Sequence, residues 1–272
     1  MKCTTVNSQT DLYCIFGSPV GHSKSPAIHN LLFAEYGINA VYLAFEPEDL
    51  ENAVGAVRSL GIKGVSVTIP FKERVVHYLD ETDDEALRIG AVNTIVCHSG
   101  TLKGYNTDCR GAVAPLKNFG IAGKRIGIVG AGGAARAAGS GLIRESGEVT
   151  VINRSPEKGE RLAADLKCSF LRLEDMDRHK FDILINTTPS GMYPDTEQSP
   201  VPDHLLKPGM AVMDMVYNPV ETRLLQQANK RGCYTISGIE MFICQAAEQF
   251  ELWTGISPSI DKLRQEMMKE AV

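Results

Sequence analysis

Apolar positions along this chain recur in two alternating rhythms. Short apolar runs, closed by glycine, proline or serine, alternate with longer stretches in which apolar residues return every three or four positions. The first rhythm predicts buried strands and the second amphipathic helices. Leu12–Phe16, Ala40–Phe45 and Gly64–Ile69 read as strands. Pro26–Tyr36, Leu50–Leu60 and Lys72–Leu79 read as the helices that follow them. Ser25 is the expected N-cap of the first helix, Pro26 its first helical residue, and Gly37 and Gly61 are stops. That order implies a parallel sheet with helices on its faces. Asn93–Cys97 and Leu102–Tyr105 flank Ser99-Gly100 and read as a β-hairpin. Asp108–Phe119 reads as a helix leaving this first domain, with a boundary at 118–124, where Gly120 and Gly123 punctuate the chain. From Arg125 the alternation restarts: strand 125–129, helix 133–145, strand 148–152, helix 156–166, and strands 182–186 and 210–215 around a Pro/Ser/Asp-rich loop at 188–204. A helix Thr222–Arg231, a short strand Tyr234–Ser237 and two helices near 240–254 and 259–270 finish the chain, while residues 1–10 read as loose. The expected fold class is α/β in two domains. The N-terminal one has a mostly parallel sheet and too few strands for a doubly wound pattern, so it should carry the substrate. The second is Rossmann-like and doubly wound, and ligand is expected in the cleft between them.

Candidate chemistry begins where the second alternation starts. Val129-Gly130-Ala131-Gly132-Gly133-Ala134 closes an apolar run and opens a small-residue helix. Such a strand–turn–helix seats a pyrophosphate on backbone N–H groups; a tight turn needing glycine for its backbone is the plain alternative. Asn153-Arg154-Ser155 ends the next strand, about twenty residues on, where an acid would bond a ribose 2′-hydroxyl. A guanidinium suits a 2′-phosphate, so the pair predicts NADP rather than NAD.

Bulk properties narrow the class. A hydrophobic content of 43% with 22% charged residues is that of a soluble globular protein, and a net charge of −5 offers no basic surface for nucleic acid. No apolar stretch approaches the roughly 18 residues needed to span a bilayer, and Met1–Asn7 lacks the apolar core of a signal peptide, so the cytoplasm is the default location. The seven cysteines are odd in number and form no C-x-x-C pair, and no H-E-x-x-H pattern occurs. Neither a disulfide framework nor a metal site is expected.

Three clusters in the first domain are ambiguous by spacing alone. Ser23 and Ser25 flank a helix start, where free N–H groups favour an anion, yet Ser25 also serves as a simple cap. Lys72, in Thr68-Ile69-Pro70-Phe71-Lys72, follows a strand end, where ligands collect in open α/β sheets, yet a solvated lysine there is common. Asp108, in Asn106-Thr107-Asp108, either caps the next helix or joins the chemistry, and Asn93 is equally open.

Taken together these blocks resemble the shikimate dehydrogenase family from about Tyr13 to the final helix. The matching segments are Phe16–Pro19, His22–Pro26, Val67–Lys72, Gly90–Thr94, Gly104–Asp108, Gly130–Ala134, Asn153–Ser155, Asp214–Tyr217, Gly238–Met241 and Cys244–Ala246. The resemblance implies an NADP-dependent oxidoreductase that interconverts 3-dehydroshikimate and shikimate in aromatic amino-acid biosynthesis. It implies that Ser23 and Ser25 hold the substrate carboxylate and that Lys72 and Asp108 form the catalytic pair. Thr68, Asn93 and Gln245 would bond ring hydroxyls, with Tyr217 and Gly238 near substrate or nicotinamide. Gly130, Ala131, Gly132, Gly133 and Ala134 would carry the pyrophosphate, and Asn153, Arg154 and Ser155 the adenosine phosphate. It also implies a discontinuous substrate domain, 1–110 with 239–272, around an NADP domain at 111–238, in a monomer or homodimer. The chain departs from the family in three places: Ser66 stands where many members have Asn, Ser155 where Thr is common, and Cys109 where Gly is common. Quinate or dual quinate/shikimate dehydrogenases are the nearest alternative, since they often lack one carboxylate-binding serine and carry an acid at the ribose position. A non-enzymatic shikimate- or quinate-sensing relative is more remote.

Overall fold

The computed structural model describes residues 6–270, and among these two six-stranded sheets form. The strands are β1 Asp11–Phe16, β2 Ala40–Phe45, β3 Gly64–Val67, β4 Glu81–Thr82, β5 Thr94–His98, β6 Thr101–Tyr105, β7 Arg125–Val129, β8 Glu148–Asn153, β9 Ser169–Arg172, β10 Ile183–Asn186, β11 Ala211–Asp214 and β12 Tyr234–Ile236. The helices are α1 Ser25–Glu35, α2 Leu50–Ser59, α3 Asp84–Ile89, α4 Asp108–Val113, α5 Gly133–Arg144, α6 Pro156–Leu166, α7 Arg223–Lys230, α8 Gly238–Thr254 and α9 Ile260–Glu270. The chain falls into two compact units: one contains residues 6–107 and Gln245–Met267, the other Asp108–Cys244.

In the first unit the sheet order is β2-β1-β3-β5-β6-β4. Strands β1, β2 and β3 are joined by helical crossovers and pair in parallel, as such connections require. β5 runs antiparallel to both β3 and β6. The β5–β6 turn is tight because Ser99 and Gly100 both take positive φ, 50° and 84°. One face buries Cys14, Phe16, Val65, Val67, Ile95 and Leu102 with Leu50, Val54 and Val57 of α2. The other carries an aromatic cluster in which Trp253 lies 5.4 Å from Tyr13 and 5.0 Å from His29, ring centroid to ring centroid. Trp253 Nε1–H donates to the Ile95 carbonyl (3.0 Å), so the indole packs in the cluster with its polar atom partnered. A Cβ on Gly64 would collide with that indole, which is why β3 begins on glycine.

The second unit is a fully parallel sheet in the order β12-β11-β10-β7-β8-β9. Strand order reverses between β7 and β10, the switch point of a doubly wound fold, where ligands bind beyond the carboxyl ends of the strands. Its strands are apolar on both sides, as burial between two helical layers demands. Helix α5 packs through small residues: a Cβ on Gly141 would lie 2.7 Å from Cys109 Sγ of α4, and one on Gly139 would lie 2.6 Å from Leu166 of α6.

Several expectations shift. Ser25 is not the cap of α1; Lys24 holds that position and Ser25 is the first helical residue. The third strand stops at Val67, and a 3-10 turn at Arg74–Tyr78 replaces the expected helix after Lys72. The helix expected at 108–119 ends at Val113 and continues as a 3-10 turn, Ala114–Leu116, where Pro115 removes a donor. The apolar pattern does not anticipate β9 or α3, because both are too short to show a period. Of the expected loose terminus, residues 1–5 lie outside the described residues, and Asn7–Thr10 form a hydrogen-bonded turn. The six described cysteines are free thiols.

Arg125 and Asp182 tie the start of β7 to the residue before β10. The guanidinium donates twice to the carboxylate (3.1 and 3.0 Å) and the Arg125 N–H adds a third bond (2.9 Å). Those side-chain and backbone bonds hold the Asp182 carboxyl at about 2. A carboxyl depressed in the folded state contributes stability above its unfolded value that is lost as pH falls toward the folded one. The Asp182→Asn variant is expected to be less stable than the parent at pH 7 by up to about 1 kcal/mol, as for a partly exposed pair. Urea unfolding should show that deficit shrinking from about pH 5 downward; a deficit independent of pH would show that the carboxylate charge contributes nothing.

Candidate active site

On the cofactor side, the glycine turn follows β7. Gly130 takes φ +123° and its N–H donates to the Ile152 carbonyl (2.8 Å). A Cβ there would collide with the Thr187 hydroxyl, so glycine is required by conformation and by space. Gly132 precedes α5 without a side-chain cap, and nothing lies within 4 Å of where a Cβ on Gly132 or Gly133 would stand. The first N–H groups of this 12-residue helix therefore face open space at the positive end of its dipole, beside part-exposed Ala131 and Ala134. That is a seat for an anion.

Asn153 ends β8 and its amide donates to the Ser155 carbonyl (2.9 Å), folding the short loop that presents Arg154. Arg154 is exposed and has no ion pair among the described residues, whereas Arg136 of α5 is paired with Asp165 at 2.7 Å. Ser155 caps α6 by position, yet its hydroxyl makes no cap bond. A free guanidinium and an unspent hydroxyl beside an anion seat fit a dinucleotide whose adenosine ribose carries a phosphate.

The adjoining strand ends are fixed by a buried polar group that the apolar pattern does not single out. Asp214 ends β11 and accepts from Thr222 Oγ1 (2.6 Å), Asn186 Nδ2 (2.9 Å) and the Val216 N–H (3.0 Å). Burial pushes its carboxyl up despite these donors. Asn186, the last residue of β10, accepts from Thr188 and donates to the Ser190 carbonyl, so one amide shapes the following loop. The signal is present in the sequence: a polar residue terminates each of two wholly apolar runs. Tyr217 leaves this segment and its ring meets Phe242 at 5.6 Å; burial raises its phenol. Gly238 begins α8 against the Met215 and Val216 carbonyls, where a Cβ would not fit.

On the substrate side, strand direction gathers the expected residues at one edge of the first sheet. That edge holds the carboxyl ends of β1, β3 and β6 and the start of β5. Ser23 and Ser25 follow β1, Thr68 and Lys72 follow β3, Asn93 precedes β5, and Asn106 and Thr107 follow β6, while Asp108, the next residue, opens the second unit. The Val92 N–H donates to the Lys72 carbonyl (2.8 Å) and the Asn93 N–H to the Tyr105 carbonyl (3.0 Å), so residues 91–93 lie between these two segments. The Thr68 N–H is held by the Phe16 carbonyl (2.9 Å). Ser23 Oγ accepts from the Ser25 N–H (3.2 Å), which spends one of the free donors at the start of α1. Ser25, Asn93, Asp108 and Gln245 are buried, and Lys72 and Thr68 are partly exposed.

Asn93 is held on three sides. Its Oδ1 accepts from the Thr107 N–H (2.8 Å) and Thr94 Oγ1 (2.7 Å), and its Nδ2 donates to Thr107 Oγ1 (3.0 Å). A backbone N–H can only donate, so the amide orientation is fixed.

Comparison with known proteins adds to this geometry. A family model described as the shikimate dehydrogenase substrate binding domain matches residues 15–95, one described as shikimate / quinate 5-dehydrogenase matches 114–210, and one described as the shikimate 5'-dehydrogenase C-terminal domain matches 238–268. The shikimate dehydrogenase (NADP(+)) of Moorella thermoacetica is 45% identical over 265 residues, covering 92% of this chain and 90% of its own. That of Thermococcus kodakarensis is 43% identical over 264 residues, covering 95% and 96%. The crystal structure of shikimate 5-dehydrogenase from Thermus thermophilus in complex with NADP(H) and shikimate has a TM-score of 0.89 at 34% identity, covering 97% of this chain and 100% of that one. With that identity sustained along nearly its whole length, the chain belongs to the shikimate dehydrogenase family.

Proposed function

We infer that this protein is an NADP-dependent oxidoreductase acting on a CH–OH group, interconverting shikimate and 3-dehydroshikimate. One observation carries the cofactor half of this reading: an uncapped helix start over open glycines at one strand end, with an unpaired Arg154 at the next. The substrate half follows from near-full-length likeness to NADP(+) shikimate dehydrogenases. Bound at the glycine turn, NADP supplies the hydride acceptor, and in its reduced form the donor.

The chain's own residues divide the remaining work. Ser23 and Ser25 take the substrate carboxylate near the start of α1, where the helix dipole favours a negative charge. Thr68, Asn93 and Gln245 hold ring hydroxyls. Lys72 takes the hydroxyl proton as the carbon gives up hydride, and returns it to the developing alkoxide in the reverse direction. Asp108 orients the ammonium and shares that proton. The unit of residues 6–107 with Gln245–Met267 takes the substrate, and Asp108–Cys244 takes NADP. Tyr217 and Gly238 border the nicotinamide end. The protein works in the cytoplasm.

The Lys72→Ala variant should lose about 10²–10⁴-fold in kcat, the range for a general acid/base, while keeping much of its shikimate affinity. Steady-state rates check this, and a kcat within a few-fold of the parent assigns the proton transfer elsewhere.

Arg154→Ala should raise KM for NADP about tenfold or more, the worth of a charge-assisted bond, and leave KM for NAD within about twofold. Equal effects on both cofactors would remove Arg154 from the 2′-phosphate.

A further inference from the structure

A single buried amide, Gln249 on α8, sits at the centre of a hydrogen-bond network beneath the substrate edge of the first sheet. Gln249 is 1% exposed, and both ends of its side-chain amide are fully bonded. Its Nε2 donates to the Asn93 carbonyl (3.2 Å) and to Thr94 Oγ1 (2.9 Å). Its Oε1 accepts from Ser66 Oγ (2.9 Å) and from His29 Nε2 (3.2 Å). A carbonyl can only accept, so the bond to Asn93 fixes which end of the amide is nitrogen.

That assignment sets the direction of every neighbouring bond. Thr94, accepting from Gln249, gives its own proton to Asn93 Oδ1 (2.7 Å). Ser66, donating to Gln249, must accept from Tyr42, whose hydroxyl lies 2.6 Å away. Tyr42 is fully buried, and the Ser25 side chain lies beside its hydroxyl. His29 is neutral, since burial lowers its ring to about 3, and its Nε2 carries the hydrogen that Gln249 accepts. The ring stacks on Tyr42 at 4.6 Å between centroids. One branch thus runs through Ser66 to Tyr42, beside Ser25, and the other ends at Asn93.

We propose that Gln249 and Tyr42 are positioning residues for substrate binding, which hold the carboxylate-binding Ser25 and the hydroxyl-binding Asn93 in fixed register through Ser66 and Thr94. This rests on the functional reading above, in which Ser25 and Asn93 touch the two ends of the substrate. Buried networks of this kind are either wholly satisfied or costly, so cutting one link frees the side chains beyond it. Ser66 belongs to the network because a short hydroxyl spans the gap between Tyr42 and Gln249.

Gln249→Met keeps the length of the side chain and removes all four bonds; Tyr42→Phe removes one oxygen. Both variants are to be purified as the full chain, with folding checked by circular dichroism. Kinetics with shikimate and NADP, and shikimate titration of the fluorescence of Trp253, the chain's single tryptophan one turn after Gln249, give the readouts. Expected are rises in shikimate KM and dissociation constant of about tenfold for Gln249→Met and about threefold for Tyr42→Phe, with KM for NADP within about twofold. A merely destabilised protein loses active molecules, and so apparent kcat, without this split between substrate and cofactor. Shikimate KM and dissociation constant within about twofold of the parent in either folded variant overturn the proposal; if Gln249→Met does not fold, Tyr42→Phe decides alone. A parent protein that does not oxidise shikimate would instead refute the functional reading, so the two failures are distinct.

Discussion

A polar atom withdrawn from water costs stability unless it finds a partner, and Asn93 and Asp214 find theirs at the strand ends where the chemistry of each sheet lies. An unpartnered buried donor or acceptor costs about 1–3 kcal/mol, so the Asn93 and Asp214 side chains are tolerable only with the bonds they make. Asn93 has Thr94 and Thr107; Asp214 has Asn186, Thr222 and the Val216 N–H. These bonds turn loop residues into fixed features of the strand ends.

What is left unpartnered is as informative. At the glycine turn the uncapped N–H groups of α5, the bare surface of Gly132 and Gly133 and the free Arg154 all face solvent. Elsewhere the same unit spends its charges on itself, as in the Arg125–Asp182 and Arg136–Asp165 pairs. Capacity for anions is thus concentrated at one strand edge, beside the switch point of a doubly wound sheet. In the first unit Asn93 is locked by Thr94 and Thr107.

The pattern of the chain foretells long elements well and short ones poorly. Ala40–Phe45, Arg125–Val129 and Pro156–Leu166 emerge with the expected limits because their apolar runs fill whole strands or several helical turns. α3 and β9 escape it because six and four residues are too few to display a period. Ser25 reads as a cap because a serine before proline fits either position, and only the folded backbone, helical from Ser25 onward, decides between them. The glycine turn and Arg154 are legible since they act through local backbone and an uncovered charge. Gln249, Tyr42 and Asp214 stay hidden as network members, because nothing near them in sequence shows which distant groups they meet.

The order of strands and helices, the need for glycine after β7 and the family itself are properties of the sequence alone. They follow from local sterics, hydrophobic period and blocks of residues that stand side by side in the chain. The partnership of Tyr42, Ser66, Thr94 and Gln249 belongs to the tertiary structure alone. Those residues are up to 207 positions apart, the difference between 249 and 42. Hydrogen bonds act over about 3 Å, so only the folding of α8 onto the first sheet gives a buried amide its four partners.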